Sequence, residues 1–302
     1  MSDQPKIEIT LDGAPCTIEA GSTGALLLQD AVKKDGVVAM RVNGEPWDLD
    51  RQVPAGAVVE PITLSSEDGL NILRHSATHV MAQAVQEMFP GVDLGIGPFI
   101  TDGFYYDFGA IDAVTPEMLR EIEKRMKRIV KEGQRFVRRD ITEAEGREEL
   151  ADQPYKLELI TTKGAGAEGA SVEVGAGGLT MYDNVRRDGS VAWTDLCRGP
   201  HLPSTRLIGQ GFALTKSSSA YWKGDQSGDS LQRIYGTAWA SKDDLKAYQT
   251  RLAEAAKRDH RKLGAELDLY SFPEEIGPGL VVFHPKGAML RHQIEQYVVD
   301  RH

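Results

Sequence analysis

Two tight-turn dipeptides near the N-terminus constrain the fold of this chain more than any other feature of its sequence. Asp12-Gly13 joins the short alternating segments KIEITL and APCTIEA, and Asn43-Gly44 joins VVAMRV to EPWDL. Asp-Gly and Asn-Gly accept the positive φ angles of two-residue hairpin turns. A helix-like run over 23–34 follows the first hairpin, VVAMRVNGEPWDL with its Asn43-Gly44 turn comes next, and AVVEPITL is the last strand. The order strand-strand-helix-strand-strand predicts a small β-grasp domain over residues 6–63.

The rest of the chain has the size and composition of an ordinary globular protein. Its 302 residues correspond to about two domains at roughly 150 residues each. No stretch approaches the ~18 apolar residues of a membrane span, and MSDQPKIEIT is not a signal peptide. The two cysteines, Cys16 and Cys197, are too few for a disulfide framework. These features predict a cytoplasmic chain that does not enter a membrane.

Capping residues and apolar spacing predict five helices beyond residue 64, and the predicted fold class is α+β. They cover 67–88, a segment from Pro116, a segment from Glu143, 242–263 and 286–302. Residues 179–240, rich in aromatic and β-branched side chains, predict a sheet. Residues 164–178 hold six glycines, which favours a loop or an irregular hairpin.

The negative charge of the chain is concentrated at its start. The net charge is −10, and residues 1–70 carry five basic against twelve acidic residues. By contrast, 113–140 has nine Lys and Arg against five acids, and 242–263 has seven against four. Either these runs are solvated helix faces, or they contact a polyanion, for which local charge matters more than the total.

His75 and His79 are the first candidates for chemistry. Four residues apart on the predicted helix, they lie on one face. The apolar stripe through Leu73, Ala77 and Val80 lies roughly opposite, so a core position is disfavoured. The two alternatives are solvent exposure and a pair that faces a groove.

The second candidate is Asp195-Leu-Cys197-Arg-Gly-Pro-His201, where Gly199 and Pro200 predict a strand end and a turn. Two His on a helix with a Cys and a His on a turn form a chemically sensible zinc set. A metal-free site in which His, Asp and Cys do acid–base work is the alternative. A purely structural interpretation makes Cys197 a buried hydrophobic side chain and His201 a surface residue.

Seven strings give the chain a specific resemblance to the N-terminal part of bacterial threonyl-tRNA synthetases. In chain order they are RHSATH, IGPFITDGFYYDF, PYKLEL, DLCRGPH, AYWKGD, LQRIYGTAWASK and EAAKRDHRKLGAELDLYSF. The resemblance implies a TGS (β-grasp) domain at 1–64, a tRNA-editing domain at 65–240, a linker helix at 241–265 and the start of a class II catalytic core at 266–302. ATP, Mg²⁺ and the catalytic Zn²⁺ belong to the remainder of that core, so this segment alone is not expected to aminoacylate tRNA.

The resemblance also implies an activity and its residues. The editing domain hydrolyses mischarged Ser-tRNA(Thr), and its pocket maps onto His75, His79, Lys156, Asp195, Cys197 and His201. Editing in this family is expected to need no metal, although His75, His79, Cys197 and His201 permit Zn²⁺, as in alanyl editing relatives. The partner is tRNA(Thr); the full-length parent is expected to be a homodimer and this segment a monomer. The glycine-rich stretch 164–178 looks longer than in the family.

Three other functions stay open at this point. A free-standing trans-editing deacylase fits the same pocket, but the TGS module and the start of a core disfavour it. A non-catalytic tRNA-binding fragment is disfavoured by the intact pocket set. A zinc hydrolase of a small ester would differ in zinc content and tRNA dependence.

Overall fold

The computed structural model describes residues 5–163, 174 and 178–302. Helices and sheets alternate in an α+β arrangement, and the chain divides into one unit up to Leu245 and a second from Lys246. Apart from residues 174 and 178, the predicted glycine-rich loop lies outside the described residues. In the part of the chain that is described, no helix combines the length and apolar character that a bilayer crossing requires.

Residues 5–64, here the N-terminal module, form a five-stranded mixed sheet. Its elements are β1 (Lys6–Leu11), β2 (Ala14–Glu19), α1 (Gly24–Leu27), α2 (Gln29–Lys34), β3 (Val37–Val42), β4 (Glu45–Trp47) and β5 (Val58–Thr63). The strand order is β2-β1-β5-β3-β4, with β1 parallel to β5. The predicted hairpin at Asp12-Gly13 and the predicted turn at Asn43-Gly44 are confirmed; the second turn also closes a hairpin, and all four turn residues have positive φ. The predicted helix over 23–34 is two short helices, with Leu28 buried in the module's core at the break.

Helix α3 (Glu67–Met88) is the central element of the larger unit. The side chain of Ser66 caps it by accepting from the Gly69 amide, as predicted. Every residue from Ile72 to Val85 is buried. The helix therefore has no solvent-facing side along its middle, and its polar residues must find partners inside the protein.

Two sheets and helix α4 pack around α3, and two shorter helices lie further along the chain. The first sheet has the order β12-β13-β8-β6, with β7 paired to β8, and the second is antiparallel in the order β11-β10-β9. The strands are β6 (Asp93–Leu94), β7 (Phe99–Ile100), β8 (Gly103–Gly109), β9 (Arg135–Ile141), β10 (Leu179–Val185), β11 (Val191–Leu196), β12 (Phe212–Tyr221) and β13 (Ser230–Ala238). The helices are α4 (Pro116–Glu132), α5 (Glu143–Glu149) and α6 (Pro154–Thr162). The predicted helix starts at 116 and 143 and the predicted sheet over 179–240 are confirmed.

The segment predicted as one linker helix, 241–265, contains two helices. Helix α7 spans Lys242–Lys257, and α8 spans His260–Glu266. The single-helix prediction is wrong because Asp259 caps a new helix, its carboxylate accepting from the Arg261 amide. Beyond it lie the short strands β14 (Tyr270–Ser271) and β15 (Val282–Phe283) and the predicted C-terminal helix, α9 (Pro285–Arg301).

Candidate active site

His75 and His79 lie one turn apart on α3, with ring centroids 5.3 Å from each other. Their exposed fractions are 2% and 1%, so the solvent-exposure alternative is wrong for both. The reason is that other elements cover the face opposite the apolar stripe. Trp193 of β11 contacts the His79 ring at 5.2 Å, and the His201 ring stands 4.3 Å from His75. A helix covered on all sides does not separate a polar from an apolar face.

Cys197 and His201 reach the two histidines from the loop that follows β11. The strand ends at Leu196, which confirms the predicted strand end. The Cys197 Sγ lies 3.2 Å from the Nε2 of His75 and 3.4 Å from the Nε2 of His201. Ser76, beside His75 on α3, places its Oγ 3.1 Å from the Nδ1 of His201. His201 is buried, so the surface alternative for it is wrong.

These four side chains, here the histidine–cysteine cluster, have the arrangement of a metal-binding set. Their ligand atoms all lie within 4.8 Å of one another. A tetrahedral Zn²⁺ with Zn–S near 2.3 Å and Zn–N near 2.0 Å spaces sulfur and nitrogen about 3.5 Å apart, close to the two distances above. The Nδ1 of His79 is buried without a hydrogen-bond partner, an uncommon state for a buried polar atom. The donor set therefore fits Zn²⁺.

Burial keeps the three imidazoles uncharged at neutral pH. It is the largest cause that lowers the pKa of His75, to about 4, and the positive charge of Lys156 adds to it. Burial likewise lowers the pKa of His79 and of His201 well below the usual value, and the neighbouring histidines contribute. Neutral rings offer a lone pair, which both metal ligation and general-base catalysis require.

Lys156 and Asp195 form a buried ion pair beside the cluster. Both side chains are fully buried, and the Lys156 Nζ lies 2.9 Å from the Asp195 Oδ1. Tyr106 donates its hydroxyl to the Asp195 Oδ2 at 2.6 Å, and the Leu196 amide donates to Oδ1 at 2.8 Å. Burial raises the pKa of Asp195, while Lys156 and Tyr106 oppose that rise. Asp195 lies in β11, two residues before Cys197, so the end of this strand and the loop after it contribute to both the ion pair and the cluster.

A cavity of about 530 Å³ leads to the cluster from the surface. Its walls come from both halves of the unit: Trp47 and Arg51 belong to the N-terminal module, and Arg198 to the loop after β11. The Arg51 guanidinium lies 3.4 Å from the centroid of the Trp47 ring. His75 is the only cluster member that lines this entrance cavity among the described residues.

Four residues at the site were not singled out from the sequence: Tyr106, Tyr182, Ser76 and Asp48. Tyr106 lies within GFYYDF, where every residue of the strand is buried, so alternation gave no signal. Tyr182 donates its hydroxyl to Asp48 at 2.7 Å across 134 residues of sequence. A contact of that separation leaves no local pattern from which it could be inferred.

The comparisons with known proteins agree on one family. Residues 178–235 match the family described as the threonyl and alanyl tRNA synthetase second additional domain. A threonine–tRNA ligase of Cutibacterium acnes is 75% identical over 266 residues, which are 88% of this chain and 39% of the relative. Those of Micrococcus luteus and Pseudarthrobacter chlorophenolicus are 58% and 57% identical over 100% of this chain and 45% of each relative. The chain thus spans less than half the length of these relatives.

Proposed function

The chain belongs to the threonine–tRNA ligase family, whose N-terminal part it matches, and on that premise we propose that its buried site hydrolyses the aminoacyl ester of mischarged Ser-tRNA(Thr). The observation that carries the proposal is the histidine–cysteine cluster with the Lys156–Asp195 pair beside it. Asp195, Cys197 and His201 fall inside the matched domain. No large apolar recognition surface is needed for an ester held at the end of a nucleic acid.

Such a site compensates for the limited selectivity between threonine and serine that binding alone can provide. Serine lacks one methyl group of threonine, and a methylene-sized difference in a pocket is worth only about 1–3 kcal/mol. A synthetic site built for threonine therefore admits serine at a measurable rate. A second site that hydrolyses the smaller product and excludes threonine restores accuracy.

We assign His75 as the general base that accepts a proton from the attacking water. It lines the entrance cavity, and its lowered pKa keeps the imidazole unprotonated at neutral pH. A neutral imidazole within reach of water can accept its proton as the ester carbon is attacked. Lys156 is a cation held without solvent, and we assign it to the negative charge that develops on the ester oxygen.

Asp195 is assigned to the α-ammonium group of the seryl moiety. An ionised carboxylate offers about four lone-pair positions. Lys156 and the Leu196 amide use two on Oδ1, and Tyr106 uses one on Oδ2. Among the described residues, one position on Oδ2 is left for a further donor, and an ammonium group fits it. Cys197 and His79, with His201 behind them, are assigned to the wall that excludes the threonine methyl group.

The proposed reaction uses the chain's own groups, and the same cluster fits a zinc ion. His75, His79, Cys197 and His201 would hold it. When bound, Zn²⁺ supplies a Lewis acid that polarises an oxygen ligand. In either case Lys156 and Asp195 keep the roles given above, since neither belongs to the metal set.

The acceptor end of tRNA(Thr) is the proposed occupant of the entrance cavity. Arg51 and Arg198 line it, and cations at a cavity mouth suit the phosphates that flank a terminal nucleotide. The Trp47 ring beneath Arg51 adds an aromatic surface of the kind on which single-stranded bases stack.

Deacylation of Ser-tRNA(Thr) against Thr-tRNA(Thr) by the 302-residue chain tests the proposal. We expect hydrolysis of the seryl ester well above the rate without protein, and little hydrolysis of the threonyl ester. His75→Ala and Lys156→Ala should each lose most of this activity. His292→Ala and Lys124→Ala are matched controls, because both side chains are exposed and remote in sequence from the motifs. Parent-like rates in His75→Ala and Lys156→Ala would refute the assignment.

A further inference from the structure

One carboxylate of the N-terminal module contacts the loop that carries Cys197 and His201. Asp48 follows β4, and its Oδ1 accepts from the backbone amide of His201 at 2.8 Å. Its Oδ2 accepts from the Tyr182 hydroxyl at 2.7 Å. The two partners are 153 and 134 residues away in sequence. Both oxygens of this carboxylate are thus used to connect the module to the site.

Asp48 is one of several groups that together fix the position of His201. Ser76 holds the ring through Nδ1, at 3.1 Å, and accepts from the Leu202 amide at 3.0 Å. Phe136 stacks on the same ring with an angle of 11° between the planes. Ser76 and Phe136 thus act on the side chain and the following residue, whereas Asp48 holds the backbone of His201 itself.

The second bond of Asp48 fixes the path between Cys197 and His201. Tyr182 lies so close to Gly199 that a Cβ at that position would stand 1.9 Å from the phenol oxygen. The tyrosine ring also meets the His201 ring edge-on, with centroids 4.6 Å apart. By accepting the Tyr182 hydroxyl, Asp48 therefore fixes the side chain against which the loop from Cys197 to His201 packs.

A carboxylate kept in such a place needs compensation. Burial raises the pKa of Asp48, and the hydrogen bonds from His201 and Tyr182 oppose that rise. The guanidinium groups of Arg138 and Arg51 oppose it further. One of these cations belongs to each of the two parts that Asp48 connects.

We propose that Asp48 is a positioning residue of the hydrolytic site, which makes the N-terminal module a working part of that site. The inference rests on the proposed function for its consequence in catalysis. Asp48 touches neither the reacting atoms nor the ester; it acts through His201 and the loop from Cys197. Loss of a hydrogen bond to a charged group corresponds to roughly a 10- to 150-fold change in rate if the bond is expressed in the transition state.

Asp48→Asn is the first test, with Asp50→Asn as the matched control because Asp50 is exposed in the same segment. We expect Asp48→Asn to lower kcat for Ser-tRNA(Thr) by about 10-fold or more, with KM unchanged. Asp50→Asn should keep the parent kcat and KM. If Asp48 only held two domains together, the melting temperature would fall while the folded protein kept its kcat, and the proposal would be overturned.

Hydrogen exchange at the His201 amide gives a readout that does not depend on activity. In the parent this amide is bonded to Asp48, so Asp48→Ala should speed its exchange, whereas Tyr182→Phe should leave it protected. The double variant Asp48→Asn/Tyr182→Phe should deacylate no more slowly than Asp48→Asn alone, because both variants disrupt the same set of contacts around His201. Unchanged exchange in Asp48→Ala refutes the positioning role. An inactive parent with fast exchange in Asp48→Ala instead refutes the proposed function and leaves the contact confirmed.

Discussion

Replacement of Lys156 by methionine tests the energetics of the buried ion pair. Methionine has nearly the length of lysine and no charge, so the main change is that Asp195 loses its cation. The carboxylate would remain fully buried, and the donors left to it in the described part of the chain would be the Tyr106 hydroxyl and the Leu196 amide. Breaking a buried pair in this way costs about 3–5 kcal/mol, a large fraction of the roughly 5–15 kcal/mol that holds a typical domain folded.

Urea unfolding at neutral pH, followed by tryptophan fluorescence, measures this loss. Lys156→Met should lower the free energy of unfolding by about 3–5 kcal/mol. The double variant Lys156→Met/Asp195→Asn should recover most of it, because no buried charge is left. Lys124→Met is the control: its exposed pair with Glu121 predicts a change below about 1 kcal/mol.

The sign of the pH dependence follows from Asp195. Burial raises its pKa in the folded parent, and loss of Lys156 removes the positive charge that most opposes this rise. Between the unfolded value, near 3.9, and the raised folded value, the folded variant binds more protons than the unfolded chain. Lys156→Met should therefore gain stability relative to the double variant as the pH falls from about 7 towards 4. A loss below about 1 kcal/mol at neutral pH, or a gap that widens on acidification, would show that the pair behaves as a surface pair.

Three further predictions address the cluster and its loop. Because the pKa of His75 is lowered to about 4, kcat/KM for Ser-tRNA(Thr), corrected for spontaneous hydrolysis, should stay level from about pH 8 to 5. A decrease of kcat/KM centred near pH 6.5 would contradict a buried base that is neutral over this range. Gly199→Ala should destabilise the fold by at least about 1–2 kcal/mol and slow deacylation, because φ is +69° and the new Cβ would clash with Tyr182. Gly228→Ala is the control in both the urea and the deacylation measurements, because its Cβ would make only ordinary van der Waals contacts. Addition of Co²⁺ should give a sulfur-to-metal absorption band that Cys197→Ser removes, and a band that survives this substitution would place the ion elsewhere.

Local patterns predicted those features of the fold that depend on local chemistry. Asp12-Gly13 and Asn43-Gly44 required positive φ and formed hairpins, and the residues before α3, α4 and α5 capped them as expected. The break between α7 and α8 was missed, because the apolar spacing continues through it while Asp259 starts a new helix. In that segment a side chain that caps the backbone decided the boundary.

The candidate site was predicted in part, and its misses have a common cause. The position of Cys197 at a strand end and the shared face of His75 and His79 followed from spacing. Their burial did not, because helical periodicity assumes one side in water, and α3 has none along its middle. The pairing of Lys156 with Asp195 joins residues of two distant elements. Asp48 lies still further from its partners in sequence, and no spacing rule reaches across such distances.

The basic run over 113–140 also changes its meaning once its partners are known. On α4, Arg120, Lys124 and Lys127 pair with glutamates three or four residues away. Arg125 and Arg128 both bond to Glu87 of α3. A count of basic residues therefore overstates the charge that this helix offers to a polyanion, since paired cations attract phosphate less than free ones. The cavity at Arg51 and Arg198 is proposed for the end of a tRNA on other grounds, because it combines an aromatic ring with a path to His75.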